Sequence, residues 1–269
     1  MADPKPHSGR VAIVTGAGSG QGGAGGIGRG VALRLAQDGA HVLVADIDDG
    51  AEATAVLVRE YGVESASFSG DLSAEEVVKS MMDKAMERWG RIDILVNNAG
   101  GGGVRPFLDH DAKSLTQTIA RNLWTTVWCC HKALPHMLKA NYGRIVNMGA
   151  DSVRNGLDNH AAYNAAKGGV HALTTGLARE FAKQDITVNT VAPTTVETPW
   201  VRKMIRGGMD KGDYVSDPDG KIEKYFRMIP KGRGAEVSEV ASLVSYLGTQ
   251  EAGFITGQVI SINGGSTML

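Results

Sequence analysis

The chain has 269 residues, of which 42% are apolar and 21% charged, and its formal net charge at pH 7 is −1. This length and composition favour one globular domain over 1–269, with a core that needs no disulfides. The balanced charge excludes the strong basic field typical of proteins that bind nucleic acid or anionic membranes, and no apolar stretch approaches the ~18 residues that span a bilayer. Residues 1–9 lack the apolar core of a signal peptide, so we expect a disordered lead.

The predicted elements alternate between strand and helix from residue 11 onwards. Strands are predicted at 11–15, 41–45, 65–69, 92–96, 144–148, 186–191 and 259–262, and helices at 26–39, 50–61, 73–89, 113–141 and 163–183. Ser73 and Glu76 have the spacing of a capping box. This alternation predicts an α/β fold, a parallel doubly wound sheet with helices on both faces. The irregular stretch 198–234 is expected to be a substrate lid.

A glycine-rich loop follows the first predicted strand. Gly16 lies at the end of that strand, and Gly26, Ile27 and Gly28 open the first helix. Glycines at such a turn let backbone N–H groups approach a pyrophosphate, and the helix N-terminus adds positive potential. The loop therefore predicts a dinucleotide cofactor.

The same loop contains extra residues. A T-G-x-x-x-G-x-G pattern matches 15–22, yet the helical pattern begins only at Gly28. We interpret 18–25 as holding about six inserted residues, because surface loops tolerate insertions at small entropic cost. Added contact with the cofactor phosphates is the alternative.

Asp46 ends the second predicted strand, 18 residues after Gly28. A carboxylate at this position accepts hydrogen bonds from both ribose hydroxyls of NAD and repels the 2′-phosphate of NADP. We therefore expect NAD as the cofactor, with NADP less favoured.

Two further strand ends are expected to contact the cofactor. Asp71 and Leu72 follow the third strand, where they can meet the adenine. Asn98, Ala99 and Gly100 close the fourth strand, where small residues let a cofactor lie against the backbone.

Tyr163 and Lys167 are four residues apart in a predicted helix, so their side chains lie on one face. A phenol with a pKa near 10 is a poor base at neutral pH, but a neighbouring ammonium favours the phenolate and lowers that pKa. The pair can act as general acid toward a carbonyl oxygen or as base toward an alcohol while a nicotinamide exchanges a hydride.

The two cysteines, Cys129 and Cys130, are adjacent and cannot form a disulfide framework, which fits a reducing cytoplasm. A nucleophilic role for them is disfavoured. Because no His or Cys spacing is typical of metal ligands, we predict no metal site.

These motifs together resemble the short-chain dehydrogenase/reductase family, in its branch of about 250 residues. The resemblance covers nearly the whole chain from Val11 onwards. The residues and segments that match the family pattern are the loop 15–28, Asp71, Asn97 to Gly100, Asn122, Tyr163 to Lys167, 189–198 and 257–265.

The resemblance implies a single-domain Rossmann fold and a role for each matching residue. Tyr163 would be the proton donor or acceptor, and Lys167 would hold the nicotinamide ribose and tune the tyrosine. Asn122 would bind a water that links the lysine to solvent, while Val196 and Thr198 would contact the nicotinamide carboxamide. The family is usually a homotetramer or homodimer through its later helices and C-terminal strand.

The chain departs from the family pattern at the substrate serine. Thirteen residues before Tyr163, where the family has that serine, this chain has Ala150. Ser152 is the nearest hydroxyl and is the candidate to replace it, because losing one donor to a developing oxyanion costs a few kcal/mol. Asp151 is expected to make a local turn bond. A second departure, Thr194 after Pro193 where the family usually has glycine, is expected to change a turn without changing the chemistry.

The substrate is expected to be a secondary alcohol or ketone, with hydride transfer to or from NAD. Several stretches are similar to family members that act on alicyclic alcohols, dihydrodiols and 2-hydroxycyclohexanecarboxyl-CoA, which favours a cyclic hydroxy acid, acyl-CoA or dihydrodiol. Four arginines could pair with a carboxylate or CoA phosphate: Arg105, Arg154, Arg202 and Arg206. The alternatives are an NADP-dependent 3-oxoacyl-thioester reductase and a dinucleotide-binding regulatory protein without catalysis.

Overall fold

Seven strands, each parallel to its neighbours, form one sheet in the order β3-β2-β1-β4-β5-β6-β7. The computed structural model describes residues 5–18, 25–102, 105–205 and 226–268. The strands are β1 (Val11–Thr15), β2 (His41–Asp46), β3 (Ser65–Ser69), β4 (Ile94–Asn97), β5 (Gly143–Met148), β6 (Ile186–Pro193) and β7 (Val259–Ile262). Central strands such as β1 are buried along their whole length, as expected for a parallel sheet covered on both faces.

The helices that cover this sheet are α1 (Ile27–Gln37), α2 (Gly50–Arg59), α3 (Glu75–Trp89), α4 (Ala112–Ile119), α5 (Thr125–Ala140), α6 (Ser152–Asn155), α7 (Ala161–Glu180), α8 (Pro199–Ile205) and α9 (Val237–Leu247). A π-helical segment, Ala120–Trp124, joins α4 to α5. The single helix predicted at 113–141 is therefore interrupted, and such wide turns are frequent at functional sites.

Alternate residues of each strand enter two separate cores. On β1, Val14 packs with α1, α2 and α9 on one face of the sheet, whereas Ile13 packs with α3, α5 and α7 on the other. Both side chains are fully buried. This two-sided burial produces the apolar strands on which the prediction of a doubly wound sheet rests, and the structure confirms that fold.

The sheet has its switch point between β1 and β4, because β2 and β3 lie on one side of β1 and the later strands on the other. Ligands of open α/β sheets bind at the carboxyl ends of the strands beside such a point. Here Asn98 joins the two strand ends, since its Nδ2 donates to the carbonyl oxygens of Thr15 at 3.0 Å and Gly16 at 2.8 Å.

The N-terminal prediction is wrong for residues 5–9. His7 is fully buried, its backbone N–H donates to the Asp38 carbonyl at 2.9 Å, and its Nε2 lies 3.0 Å from Ser245 Oγ. These contacts hold the segment between the ends of α1 and α9, and no local pattern in the first residues signals them.

The predicted capping box is also wrong. Helix α3 begins at Glu75 after Ala74, without a side-chain cap. The backbone N–H of Ser73 instead donates to Asp71 Oδ1 at 2.9 Å, so a carboxylate-stabilised turn precedes the helix. Across the described ranges, no helix combines the length and apolar character needed to cross a bilayer.

Candidate active site

A cavity of about 420 Å³ opens at the carboxyl ends of β1, β2 and β3. Four residues predicted to contact the pyrophosphate or the adenosine of a dinucleotide line it, namely Gly16, Asp46, Asp71 and Leu72. Ala99 and Gly100 form its boundary toward β4. The structure therefore brings the three predicted strand ends together around one space.

The backbone around this cavity leaves no room for side chains. Gly16 has φ +60°, and a Cβ built on it would lie 2.8 Å from the Cα of Ala99. A Cβ on Gly28 would collide with the carbonyl oxygen of Gly16, so α1 starts directly behind the first strand. The first turn of α1 after Gly26 contains no acidic residue, which keeps its N-terminus favourable to phosphate. The residues present thus fit a dinucleotide.

The Asp46 carboxylate is fixed at the edge of the cavity by two backbone N–H donors. Its Oδ2 accepts from Gly18 at 2.6 Å and its Oδ1 from Ile47 at 2.7 Å. Ile47, Asp48 and Asp49 follow it, so no basic side chain stands next to it in the chain. Of the stretch 18–25, predicted to hold about six inserted residues with added phosphate contact as the alternative, residues 19–24 lie outside the described residues.

A second cavity, of about 310 Å³, continues from the first past Gly100. The residues lining it include most of those predicted for the nicotinamide half and the chemistry, namely Ile27, Asn98, Gly100, Tyr163, Lys167, Val196 and Thr198. Ala150 also lines it. The two cavities share Gly100, so the residues predicted for the two halves of a dinucleotide lie on either side of it at the strand ends.

Tyr163 and Lys167 share one face of α7, with the lysine Nζ 5.9 Å from the centre of the tyrosine ring. The Nζ donates to the carbonyl oxygen of Met148 at 2.8 Å. Burial lowers the pKa of Lys167 to about 8 and raises the pKa of Tyr163 to about 12. The expected fall in the tyrosine pKa is therefore not seen, because desolvation of the phenolate outweighs the ammonium, which is directed at a carbonyl.

Asn122 is fully buried within the π-helical segment. Its Nδ2 donates to the Thr118 carbonyl at 3.0 Å, and its Oδ1 accepts from the Gly101 N–H at 2.7 Å. The wide turn thus points an amide at the loop after β4, one residue from Gly100, which also borders Lys167. The structure brings Asn122, Tyr163 and Lys167 together as the sequence predicts.

The family model described as enoyl-(acyl carrier protein) reductase matches residues 22–267. The chain belongs to the short-chain dehydrogenase/reductase family. A 2,3-dihydroxy-2,3-dihydro-p-cumate dehydrogenase of Pseudomonas putida is 50% identical over 268 residues, covering 98% of this chain and 96% of the relative. A 1,6-dihydroxycyclohexa-2,4-diene-1-carboxylate dehydrogenase of Acinetobacter baylyi is 36% identical, covering 95% of each chain.

Solved structures agree with this assignment. An NAD⁺-bound xylitol dehydrogenase has a TM-score of 0.86 and 30% identity, covering 97% of this chain and 100% of its own. A levodione reductase has a TM-score of 0.85 and 28% identity, covering 96% and 97%. This short-chain dehydrogenase/reductase is thus an enzyme, an oxidoreductase with a Rossmann fold.

In this dehydrogenase the structure does not place Ser152 in the catalytic cavity. Ser152 begins α6, and its hydroxyl donates to Asn164 Oδ1 at 2.6 Å. Asn164 Nδ2 donates back to the Ser152 carbonyl at 2.9 Å. The cavity wall at this point is formed by Ala150, so the substrate hydroxyl donor expected from the sequence is absent from the residues that line the cavity.

The expectation for Asp151 is wrong, because its carboxylate makes no local turn bond. It is buried and accepts hydrogen bonds, each 3.0 Å long, from Ser261 Oγ, Asn263 Nδ2 and Thr267 Oγ1. The loop that carries Ala150 is thereby tied to the C-terminal segment. Sequence reasoning missed this tie, since its partners lie more than 100 residues away.

The four candidate arginines separate into different roles. Arg154 donates to Ser261 Oγ at 2.8 Å and to the Val259 carbonyl at 2.7 Å, and is structural. Arg202 pairs with Glu197 and Glu236. Arg206 lies outside the described residues, as does most of the predicted lid 198–234. Arg105 remains a candidate to pair with a substrate carboxylate or CoA phosphate.

The two cysteines add no nucleophile to the site. Cys129 and Cys130 are buried, and burial raises the pKa of both thiols, that of Cys130 to about 12. Such thiols are not nucleophiles at neutral pH. No group of three or more potential metal ligands occurs within the described part of the chain.

Proposed function

We propose that this enzyme is an NAD-dependent dehydrogenase that oxidises one ring hydroxyl of a cyclic dihydrodiol. The observation that carries the proposal is the placement of Tyr163, Lys167 and Asn122 around Gly100, in a groove that continues to the Asp46 carboxylate. This arrangement supplies an acid–base group beside a dinucleotide groove whose far end favours free ribose hydroxyls.

The dinucleotide would lie along residues that the structure already aligns. These are Gly16 and the helix start at Gly26, Ile27 and Gly28 for the phosphates, Asp46 for the adenosine ribose, Asp71 and Leu72 for the adenine, Asn98, Ala99 and Gly100 along the backbone, and Lys167, Val196 and Thr198 for the nicotinamide half. Bound NAD supplies the acceptor for the hydride that leaves the alcohol carbon.

Tyr163 takes the hydroxyl proton during oxidation and returns it during reduction. Burial raises the pKa of its phenol, so before oxidation the phenol must first release its own proton toward solvent; the ammonium of Lys167 would stabilise the resulting phenolate, which then takes the alcohol proton. Asn122 faces Lys167 across Gly100 and is suited to hold a water that carries the proton onward.

The choice of NAD over NADP is supported by charge. Asp46 presents a fixed carboxylate to the cavity, and its chain neighbours supply no cation for a 2′-phosphate. A phosphate placed against that carboxylate would meet like-charge repulsion in a partly desolvated groove. The NAD⁺-bound xylitol dehydrogenase of similar fold is in line with this proposal.

The dihydrodiol substrate is supported by the relatives. The names of the Pseudomonas and Acinetobacter dehydrogenases both describe a carboxylate on a dihydroxylated ring. The second candidate is an NADP-dependent 3-oxoacyl-thioester reductase, because a 3-oxoacyl-[acyl-carrier-protein] reductase of Staphylococcus aureus is 34% identical over 261 residues. Asp46 argues against that cofactor. A regulatory protein without catalysis would explain Ala150, but not the assembled Tyr163, Lys167 and Asn122.

We also propose a cytoplasmic homo-oligomer, with the family's tetramer as the expected form. Trp124 beside α5 and Phe254 before β7 are exposed, Phe254 almost completely, and β7 is an edge strand. Exposed aromatic side chains at a sheet edge and on an outer helix suit contacts between copies of the chain. Light scattering of the purified protein tests this, and a monomeric mass at micromolar concentration would contradict it.

The test of the activity is absorbance at the reduced-nicotinamide band. The enzyme is mixed with NAD or NADP and with 1,6-dihydroxycyclohexa-2,4-diene-1-carboxylate or the dihydrodiol of p-cumate, and separately with NADPH and a 3-oxoacyl thioester. We expect turnover of a ring diol with NAD at a kcat/KM at least about tenfold above that with NADP. Turnover of the thioester alone would replace the proposal with the second candidate. Binding of NAD without any turnover would favour the regulatory protein.

A further inference from the structure

A small polar pocket of about 110 Å³ lies between the loop after β4 and helix α4. We call it the basic pocket, because Arg105, His110 and Arg121 line it together with Gly101. The described residues that line it include no carboxylate. It is separate from the two cavities of the dinucleotide groove, although Arg121 borders both it and the adenosine cavity.

The two arginines of the basic pocket are exposed to solvent, and no carboxylate is among the described residues that line the pocket with them. Within the described ranges, neither Arg105 nor Arg121 has a side-chain hydrogen bond or ion pair, in contrast to Arg154 and Arg202. Arg105 lowers the pKa of Asp111 from a distance, but that carboxylate is committed to the start of α4, where it accepts from the Ser114 N–H at 2.7 Å. Two arginines that line one small pocket without a carboxylate in its lining favour an anion there.

His110 adds an unused polar atom to the pocket. Its Nδ1 lies 3.1 Å from Ser114 Oγ, and its Nε2 is buried without a hydrogen-bond partner. Ser114 Oγ also donates to the Asp111 carbonyl at 3.1 Å, so the ring proton resides on Nε2, as a donor toward the pocket, when that hydroxyl turns from the carbonyl to Nδ1. Because a buried polar atom without a partner carries a desolvation cost, an acceptor oxygen in the pocket would remove that cost.

The pocket adjoins the catalytic groups on two sides. Gly101 lines both the basic pocket and the nicotinamide cavity, and its N–H is held by Asn122. The Arg105 N–H donates to the carbonyl of Asn159 at 3.0 Å, four residues before Tyr163. The basic pocket and the nicotinamide cavity, which Tyr163 lines, therefore meet at Gly101.

We propose that Arg105, Arg121 and His110 form the subsite for the carboxylate of the ring substrate. This inference rests on the proposed dihydrodiol dehydrogenase activity and adds the residues that would select acidic rings over uncharged ones. A carboxylate has two coplanar oxygens, which match the planar fork of a guanidinium, and it neutralises the paired cations.

The binding test uses calorimetry on the NAD-loaded protein with benzoate and its uncharged analogue benzamide. We expect benzoate to bind at least about tenfold more tightly than benzamide, and Arg105→Gln or Arg121→Gln to weaken benzoate by about tenfold or more. Arg105→Lys should recover part of that loss. The matched control is Arg88→Gln, which removes an exposed arginine at the end of α3 and should change nothing.

Three results would overturn the subsite: equal binding of benzoate and benzamide, benzoate affinity unchanged in both glutamine variants, or a fall in NAD affinity that matches the fall for benzoate. The last would assign the two arginines to the cofactor. Calorimetry with NAD alone on each variant separates it from the other two.

A kinetic comparison separates this inference from the activity it rests on. With the carboxylated dihydrodiol, Arg105→Gln should raise KM by about tenfold and leave kcat close to normal, whereas KM for the uncharged dihydrodiol of benzene should not change. Equal KM increases for both diols would overturn the subsite and leave the activity standing. If benzoate binding depends on the arginines but the enzyme oxidises neither diol, the subsite stands and the proposed activity is overturned.

Discussion

Asn122 and Lys167 approach each other across one glycine: a Cβ built on Gly100 would lie 2.8 Å from Asn122 Oδ1 and 3.5 Å from Lys167 Nζ. The asparagine reaches this gap from the π-helical segment, and the lysine from α7. Any side chain at position 100 would therefore lie between the two groups that would carry the proton to solvent.

Gly100→Ala should lower kcat by more than about tenfold and weaken NAD binding, because its methyl group would displace the Asn122 amide and narrow the groove. Steady-state kinetics and calorimetry with NAD measure the two effects. The matched control is Gly62→Ala, since Gly62 also has positive φ, +77°, but has open space around its Cβ position. Normal kinetics in Gly100→Ala would contradict the arrangement.

Tyr163→Phe should reduce turnover by more than about 100-fold, since it removes the group that exchanges the proton. NAD affinity should stay within about twofold, because the phenol proton contributes little to cofactor binding. Tyr61→Phe, at an exposed tyrosine, is the control. A parallel loss of NAD affinity would assign Tyr163 to cofactor binding rather than to proton transfer.

We expect the burial of His171 to make the folded protein less stable in acid. Its ring lies against Gly149 with Nε2 unpartnered, and burial is the largest cause that lowers its pKa from 6.5 to about 4. Between pH 6.5 and 4 the unfolded chain therefore binds a proton that the folded protein does not. The stability associated with this neutral ring is complete above pH 6.5 and is lost as the pH falls toward 4.

Urea denaturation at pH 7.5 and pH 5 measures this effect. The free energy of unfolding should fall less in His171→Gln than in the wild type over that interval, while His131→Gln, at an exposed histidine, should follow the wild type. Because titration of the carboxylates is common to all three proteins, the difference isolates His171. An equal fall in His171→Gln would contradict the prediction.

Asp151→Ala should lower the free energy of unfolding by about 3 kcal/mol, because it leaves three hydrogen-bond donors of the C-terminal segment without their buried acceptor. Asp151→Asn keeps one acceptor oxygen and should lose less. Thermal or urea denaturation measures both. Asp83→Ala removes a carboxylate from an exposed pair with Lys79 and should have little effect. Equal, small losses of unfolding free energy in all three variants would contradict a stabilising role for the hydrogen bonds between Asp151 and the C-terminal segment.

Local patterns predict the fold and the positions of much of the candidate site. The alternation of Ile13 and Val14 between two cores follows from strand geometry, and the four-residue spacing of Tyr163 and Lys167 follows from helix geometry. The position of Asp46 at the cavity follows because strand ends in a parallel sheet meet at one edge. Each of these features depends on neighbours within one element or on a general rule of sheet topology.

Features that depend on distant contacts were missed. The burial of His7 needs Ser245, and the orientation of Asp151 needs Asn263, so neither has a local signal. The π-helical turn at Asn122 was missed for a different reason: one extra residue in a turn barely changes the spacing of apolar positions. The tyrosine pKa was misjudged because burial cannot be measured from a four-residue spacing.

The family pattern implies a serine hydroxyl that binds the substrate oxygen, and this chain has Ala150 at that position. Ser152 donates to Asn164 and lies outside the cavity, whereas Ala150 lines it. Ser152→Ala should therefore leave kcat within about threefold of normal, although it loses a partly buried hydrogen bond of about 1 kcal/mol. Ala150→Ser places a hydroxyl in the cavity wall and should raise kcat, since one more donor stabilises charge on the substrate oxygen. A large loss of kcat in Ser152→Ala, with no gain in Ala150→Ser, would mean that the loop rearranges when substrate binds and that Ser152 turns toward the ring.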